Sequence, residues 1–372
     1  MAHPLQCRLH VMFSANETDV SEEIAQDILS FEYTDKENNE ADELSISLKD
    51  ETGKWAGSWK PNGGEIIKAQ IYAGTTQERD KKLYFGRFYV DQIRATGSPR
   101  TCEIKAVSVP LGKPIRRKIK SRAWEKKKLK EIAGTIAKES ELELIYDCEE
   151  NPLFDRQDQS KTSDLQFLQK LCEENGISLK VTDDSLVLFD QAFYEKKEPI
   201  KTIQLGESPV LSWDFETNQS ETYRSVTVSY RNPKEKKAGK AGRYDLNAKS
   251  ETSSPSRYSG EEKKKSNPAV QSYTFTDPYA DENGQEYALK KRATSLEDAK
   301  RLAKAKLRQL NARSVTGSMT LVGDTELVAG VVIEIKGFGS FDGNFIVEQA
   351  GHSVGSGGYT TSLTLRRVNS NY

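Results

Sequence analysis

Histidine and cysteine are scarce in this chain, with three of the first and four of the second among 372 residues. Cys7, Cys102, Cys148 and Cys172 show no CxxC spacing, as expected of a protein made in a reducing cytoplasm. His3, Cys7 and His10 have separations that suit zinc, but on a strand residues three or seven apart face opposite sides. They do not converge, so no metal is expected. No run approaches the ~20 apolar residues of a membrane span. The opening MAHPLQCRLHVMF has no apolar core or small-residue cleavage site, so no secretory signal and no membrane are expected. The formal net charge is -1, and no global field draws the protein to nucleic acid or anionic lipid.

Catalytic signatures are missing too. There is no GxSxG, HExxH, P-loop or Cys/His dyad. DPYADENGQE fits a calcium loop only at Asp281, Asn283 and Gly284, with a tyrosine at the first ligand position and a lysine at the twelfth. GFGSFDG follows a strand and leads into another strand, so no helix N-terminus is there for a phosphate, and the segment is a turn. His352 reads as a surface or interface residue in a hairpin turn. No catalytic residue and no cofactor is expected.

What is present is mainly β. Alternating stretches ILSFEY, LSISL, EIIKAQIYAG, KLYFGRFYVDQI and TCEIKAVSV are separated by KENNEAD, PNGG and TGSPR, which suggests a barrel or sandwich over residues 1–112. Residues 113–198 read as a small α+β module. Its first helix is expected from about Trp124 to Ser140, with Leu129, Ile132, Ala133, Ile136 and Ala137 on one stripe. Its second runs from Asp164 to Glu174, with Ser163 and Gln166 as a capping box and Gly176 after its end. ISLKVTDDSLVLF follows as a hairpin with Asp183 and Asp184 at the tip. Strands return over residues 199–372, interrupted by a Lys/Ser-rich flexible insertion at about 231–270 and a helix at about 296–310 capped by Ser295.

Two patterns occur twice, in the same order. ILSFEY (from Ile28) matches VLSWDF (from Val210), with LSISL and VTVSY following at equal distances. GRFYVDQI (from Gly86) matches GNFIVEQA (from Gly343) without a gap. The chain therefore carries one strand unit twice, with the α+β module between the copies and an insertion inside the second. The repeated positions Phe85, Gly86, Phe88 and Val90, with Phe341, Gly343, Phe345 and Val347, are wall elements and candidate interface residues. Trp55 and Trp59 of WAGSW either plug the first barrel or meet another subunit. The run KPIRRKIKSRAWEKKKLK is either a solvated face, or docked on an acidic neighbour, or a nucleic-acid contact with Trp124 stacking.

DETGKWAGSWKPNGGEIIKAQI, SDLQFLQKLCEENGISLKV and above all GDTELVAGVVIEIKGFGSFDGNFIVEQAGHSVGSGGYTTSLTLRR resemble the late-control protein D family. Its members are baseplate hubs of contractile-tailed phages, R-type bacteriocins and related contractile injection systems. The resemblance implies two similar tube-like β-barrels per chain, assembled as a homotrimer into a pseudo-sixfold ring between a hexameric tail tube and a trimeric central spike. Implied partners are the tail tube protein, the spike, other baseplate proteins and the tape-measure protein, with nucleic acid only as cargo in the channel. Synthesis in the bacterial cytoplasm and assembly into a tail or tail-like particle follow from the same likeness. Two competing readings are a peptidoglycan hydrolase with an unmarked carboxylate pair, and a nucleic-acid binder using residues 113–130.

Overall fold

The computed structural model describes residues 6–13, 18–19, 21–37, 41–74, 81–109, 114–182, 184–218, 222–231, 270–278, 280 and 284–368. His3, Lys113, Asp183, the calcium-loop positions 281–283 and residues 232–269 of the expected insertion lie outside that set. The chain divides into two compact units, Met1–Thr222 with Arg308–Tyr372, and Tyr223–Leu307.

The large unit opens with β1 (Gln6–Phe13), β2 (Thr18–Asp19), α1 (Ser21–Asp27), β3 (Ile28–Lys36), β4 (Glu43–Lys49), β5 (Ile66–Gly74), β6 (Lys81–Thr96) and β7 (Thr101–Val107). Alternation decides which face is buried. Phe31 and Tyr33 on β3, Leu44, Ile46 and Leu48 on β4, and Cys102, Ile104 and Ala106 on β7 share one core. Phe85 and Phe88 break the alternation yet both enter that core. Gly86 between them takes a left-handed φ of 83°, and the β5–β6 register slips there, as a bulge requires.

A second core is built by α2 (Pro114–Arg117), β8 (Ile119–Lys128), α3 (Leu129–Glu139), β9 (Glu143–Asp147), β10 (Leu153–Ser163), α4 (Asp164–Glu174), β11 (Ser178–Val181) and β12 (Ser185–Phe189). The short α5 (Gln191–Glu195) follows. Leu129, Ile132, Ala133, Ile136 and Ala137 form the buried stripe of α3, as their spacing requires. The helix begins at Leu129, not near Trp124. Trp124 belongs to β8, opposite Gln157 of β10, and its ring stacks on Phe167. The capping box of α4 is formed: Ser163 Oγ accepts from the Gln166 N–H at 3.2 Å, and Gln166 Oε1 accepts from the Ser163 N–H. The hairpin β11–β12 is present, with β9 added in parallel to β12.

The remaining elements are β13 (Lys201–Gln204), β14 (Val210–Thr217), β15 (Tyr223–Arg231), β16 (Val270–Thr276), β17 (Gln285–Ala293), α6 (Leu296–Asn311), β18 (Val315–Val322), β19 (Val332–Lys336), a 3-10 turn at Gly339–Phe341, β20 (Gly343–Gly355) and β21 (Gly358–Arg367). In the small unit β15 lies between antiparallel β16 and parallel β17. Ser295 caps α6 by accepting from the Asp298 N–H, and Ala299, Leu302, Ala303 and Leu307 are its buried stripe. In the large unit Met319, Leu321, Ile333, Ile335, Phe345, Val347, Leu363 and Leu365 make a third core.

The pairings show the repeat strand by strand. One copy runs β3–β4–β7–β6–β5 and the other β14–β18–β21–β20–β19, all antiparallel. Irregularities recur at matched places: the register slips at Leu29 and at Leu211, and at Asp91 and at Glu348. The copies part at the outer strand, since β1 is antiparallel to β5 while β13 is parallel to β19. One expected correspondence is overturned. VTVSY is not the counterpart of LSISL: it lies in β15, in the small unit, and the strand that pairs with β14 as β4 pairs with β3 is β18. Alternating residues alone cannot name their partner strand, because every half-buried strand shares that pattern. Nor do the described pairings close a barrel. They run as an open path from β2 to β14, because β20 turns its second half onto β3 and joins the two copies in one sheet.

Candidate assembly interface

The sequence-derived interface residues sort into core and surface. Phe88, Val90, Phe345, Val347 and Trp55 are fully enclosed in the chain's own cores, Phe85 is buried, and Phe341 is half-buried. Phe341 joins Trp213, Phe215, Phe338 and Phe345 in an aromatic cluster. Gly86 and Gly343 both hold positive φ, 83° and 134°. These residues fasten the two copies from inside. The two tryptophans separate: the Trp55 indole N–H donates to Asp27 at 2.8 Å, whereas Trp59 is 39% exposed and meets Trp55 edge-on.

Surfaces open to a partner lie elsewhere. Among the described residues β14 pairs only with β18, and Trp213 on it is 46% exposed although its counterpart Phe31 is fully buried. Residues 91–96 of β6 pair with β7 and, among the described residues, with no strand on the other side. Sequence reasoning passed over both edges. No sequence signal marked them, because that β20 and β3 occupy each other's corresponding edges is seen only in the strand pairings.

The basic run 113–130 is partly neutralised by its own fold. Lys120 Nζ contacts Glu139 at 2.7 Å and Asp164 at 2.5 Å, and Arg122 bridges the same two carboxylates at 2.8 Å each. The Arg122 guanidinium lies 4.4 Å from the Trp124 ring centre, so the indole face is occupied. The acidic-neighbour reading describes Lys120 and Arg122, while the other described cations of the run are exposed, as the solvated-face reading has it.

Charged clusters fasten the large unit. Lys180 Nζ binds Asp35 at 2.8 Å and Asp42 at 3.2 Å, and Asp35 also accepts the Ala329 N–H at 2.9 Å. One lysine thereby ties β11 to β3 and to the segment before β19. Burial pushes the Asp42 carboxyl up to about 6. Arg366, nearly fully enclosed, contacts Glu195 at 2.7 Å and Glu348 at 3.1 Å. The neighbouring Glu37 carboxyl, which accepts from Gln191, is pushed up to about 6 mainly by burial. His352 is not a surface residue. It lies inside β20, buried, with Nδ1 2.8 Å from the Tyr359 hydroxyl, and burial pulls it down to about 4. Alternation puts it inward with Ala350, which the turn-like GHSVGSGG had masked.

Among the described residues no group of three His, Cys, Asp or Glu side chains could hold a metal, and no helix is long and apolar enough to cross a membrane. A family model described as phage tail baseplate hub (GPD) matches residues 87–358. The chain belongs to the phage tail baseplate hub family. It is a component of a phage tail baseplate. Over 368 residues it is 24% identical to a probable baseplate hub protein of Escherichia phage 186, covering 95% of this chain and 92% of that one. A 43 kDa tail protein of prophage MuSo2 from Shewanella oneidensis shares the fold at a TM-score of 0.66 and 11% identity, covering 97% of this chain and 98% of that one. A tail protein of Neisseria meningitidis MC58 does so at 0.65 and 12%, covering 97% and 96%. This hub's mixed fold, mainly β with helices, is thus that of known tail proteins.

Proposed function

We propose that the chain is a non-enzymatic hub of a contractile-tail baseplate. Three copies assemble as a ring, and each supplies two tube-like strand units, so that six near-alike seats meet a sixfold tail tube while the ring keeps threefold symmetry for a central spike. The observation that carries this reading is the doubling of one strand order, with slips at the same places, in a single chain. A chain with two equivalent units is the means by which threefold assembly matches a sixfold partner. The centre is an open channel for cargo, and residues 113–198 face other baseplate proteins. Synthesis takes place in the bacterial cytoplasm, followed by assembly into the tail.

Contacts of this kind bury areas in the range of obligate complexes, about 2,000 Å² or more per interface. Mass photometry of the purified chain, alone and with the spike protein of the same particle, tests the reading. A species at three times the 41.8 kDa chain mass is expected in at least one of the two samples. Single chains in both contradict it.

A further inference from the structure

Inside one chain the two strand units are joined by a strand pair. The second half of β20 runs antiparallel to β3, with Gly351 opposite Thr34 and Ser353 opposite Glu32. By the matched pairings, the counterpart of that half of β20 is residues 91–96 of β6, and the counterpart of β3 is β14. Neither counterpart has the corresponding neighbour: residues 91–96 are paired only by β7, and β14 only by β18, among the described residues. The chain thus carries one seam made and the two halves of the same seam unmade.

We infer that residues 91–96 of one copy pair antiparallel with β14 of a second copy, in the register of the internal seam; this rests on the ring assembly proposed above. Transferring the register sets Arg94 opposite Glu216, where Gly351 stands opposite Thr34, and Thr96 opposite Asp214, where Ser353 stands opposite Glu32. The charges agree with that register. Arg94 is exposed and already stands across from Glu103 of β7, and Glu216 is exposed and stands across from Thr316 of β18. Joined, the two strands place one guanidinium between two carboxylates. The pairing also gives Trp213 the cover that β20 gives its counterpart Phe31, opposite Val354. An open edge flanked by an exposed tryptophan invites strand addition, in which main-chain hydrogen bonds supply affinity and side chains fix register. The contact joins unlike edges, so it is head-to-tail, and it ends only where a ring closes.

Cysteine pairing reads the register directly. Directly opposed residues of antiparallel strands lie about 4.5 or 5.5 Å apart between Cα atoms, within reach of a disulfide. Full-length chain carrying Arg94→Cys and Glu216→Cys, oxidised with its spike protein present, is expected to give a non-reducing ladder that stops at three chains. Arg94→Cys with Thr316→Cys, one strand further and about 10 Å away, gives none; each single variant reports the background of the native cysteines. Independently, Arg94→Glu is expected to raise the trimer dissociation constant about tenfold or more, and adding Glu216→Arg to restore it. Trimers of the unaltered chain without the 94–216 cross-link, or without rescue by the charge swap, overturn the seam and leave the ring standing. Single chains in the unaltered sample overturn the ring itself.

Discussion

Arg366 and Glu195 hold each other at 2.7 Å where both side chains are almost completely enclosed. Glu195 turns its other oxygen to Arg308 at 2.5 Å, so two guanidiniums share one carboxylate on the short helix α5, and Glu348 supplies Arg366 with a second at 3.1 Å. Burying charge is tolerated only while it is matched. Removing Glu195 takes from Arg366 the nearer of its two carboxylates and leaves only Glu348 in contact with it, and Glu195→Ala is expected to cost about 3 kcal/mol. Arg156→Ala, which breaks exposed pairs to Glu125 and Asp158, should cost under about 1 kcal/mol. Thermal unfolding of the two variants against the parent chain compares them.

His352 gives the chain an acid-sensitive element. Its ordinary value is 6.5 and burial lowers it to about 4, so between those values the unfolded chain binds a proton that the folded chain refuses. Stability from this group is therefore fully present above about 6.5 and is lost as pH falls toward 4, by about 3 kcal/mol at most. Glu37, raised from 4.5 to about 6, acts with the opposite sign: its folded form keeps a proton longer, and its stability term falls as pH rises through that window. Comparing His352→Gln with the parent isolates the histidine. The difference in melting temperature between the two should shrink as pH falls from 7 to 4.5. A constant difference across that range contradicts the assignment.

Gly317 on β18 has no room for a side chain, because a Cβ there would come within 2.0 Å of the Phe215 ring. Gly317→Ala should push Phe215 out of the third core and cost about 1–3 kcal/mol. Gly357, in the β20–β21 turn, has nothing within 4 Å and no positive φ, so Gly357→Ala should leave the melting temperature within error. Equal effects would mean that the packing of β14 on β18 differs from that described.

The sequence disclosed the repeat because its marks are backbone demands. The glycine of Gly-x-Phe-x-Val sits at positive φ in both copies, and the apolar residues around it share the inward face, so neither drifts freely. The partner of β14 was illegible, since β15 and β18 both alternate and only the fold tells which one lies beside it. Leu153–Ser163 also went unread as a strand. The residues that stand opposite β8 include Arg156, Gln157, Asp158 and Gln159 in succession, and a strand so polar on both faces shows no apolar period. The buried charges were hidden for a related reason. Arg366, Glu195, Lys180 and Asp35 come from elements far apart in the chain, and a charged residue in isolation predicts a surface position.

Ring assembly is the claim on which the rest depends, and an unsymmetrised electron-microscopy reconstruction of the chain bound to its spike protein tests it most directly. The account expects three chains around a channel walled by six similar strand units, alternating between the β20–β3 junction within a chain and a β6–β14 junction between chains. A complex holding one or two chains, or three chains whose units do not alternate around a common channel, would contradict it.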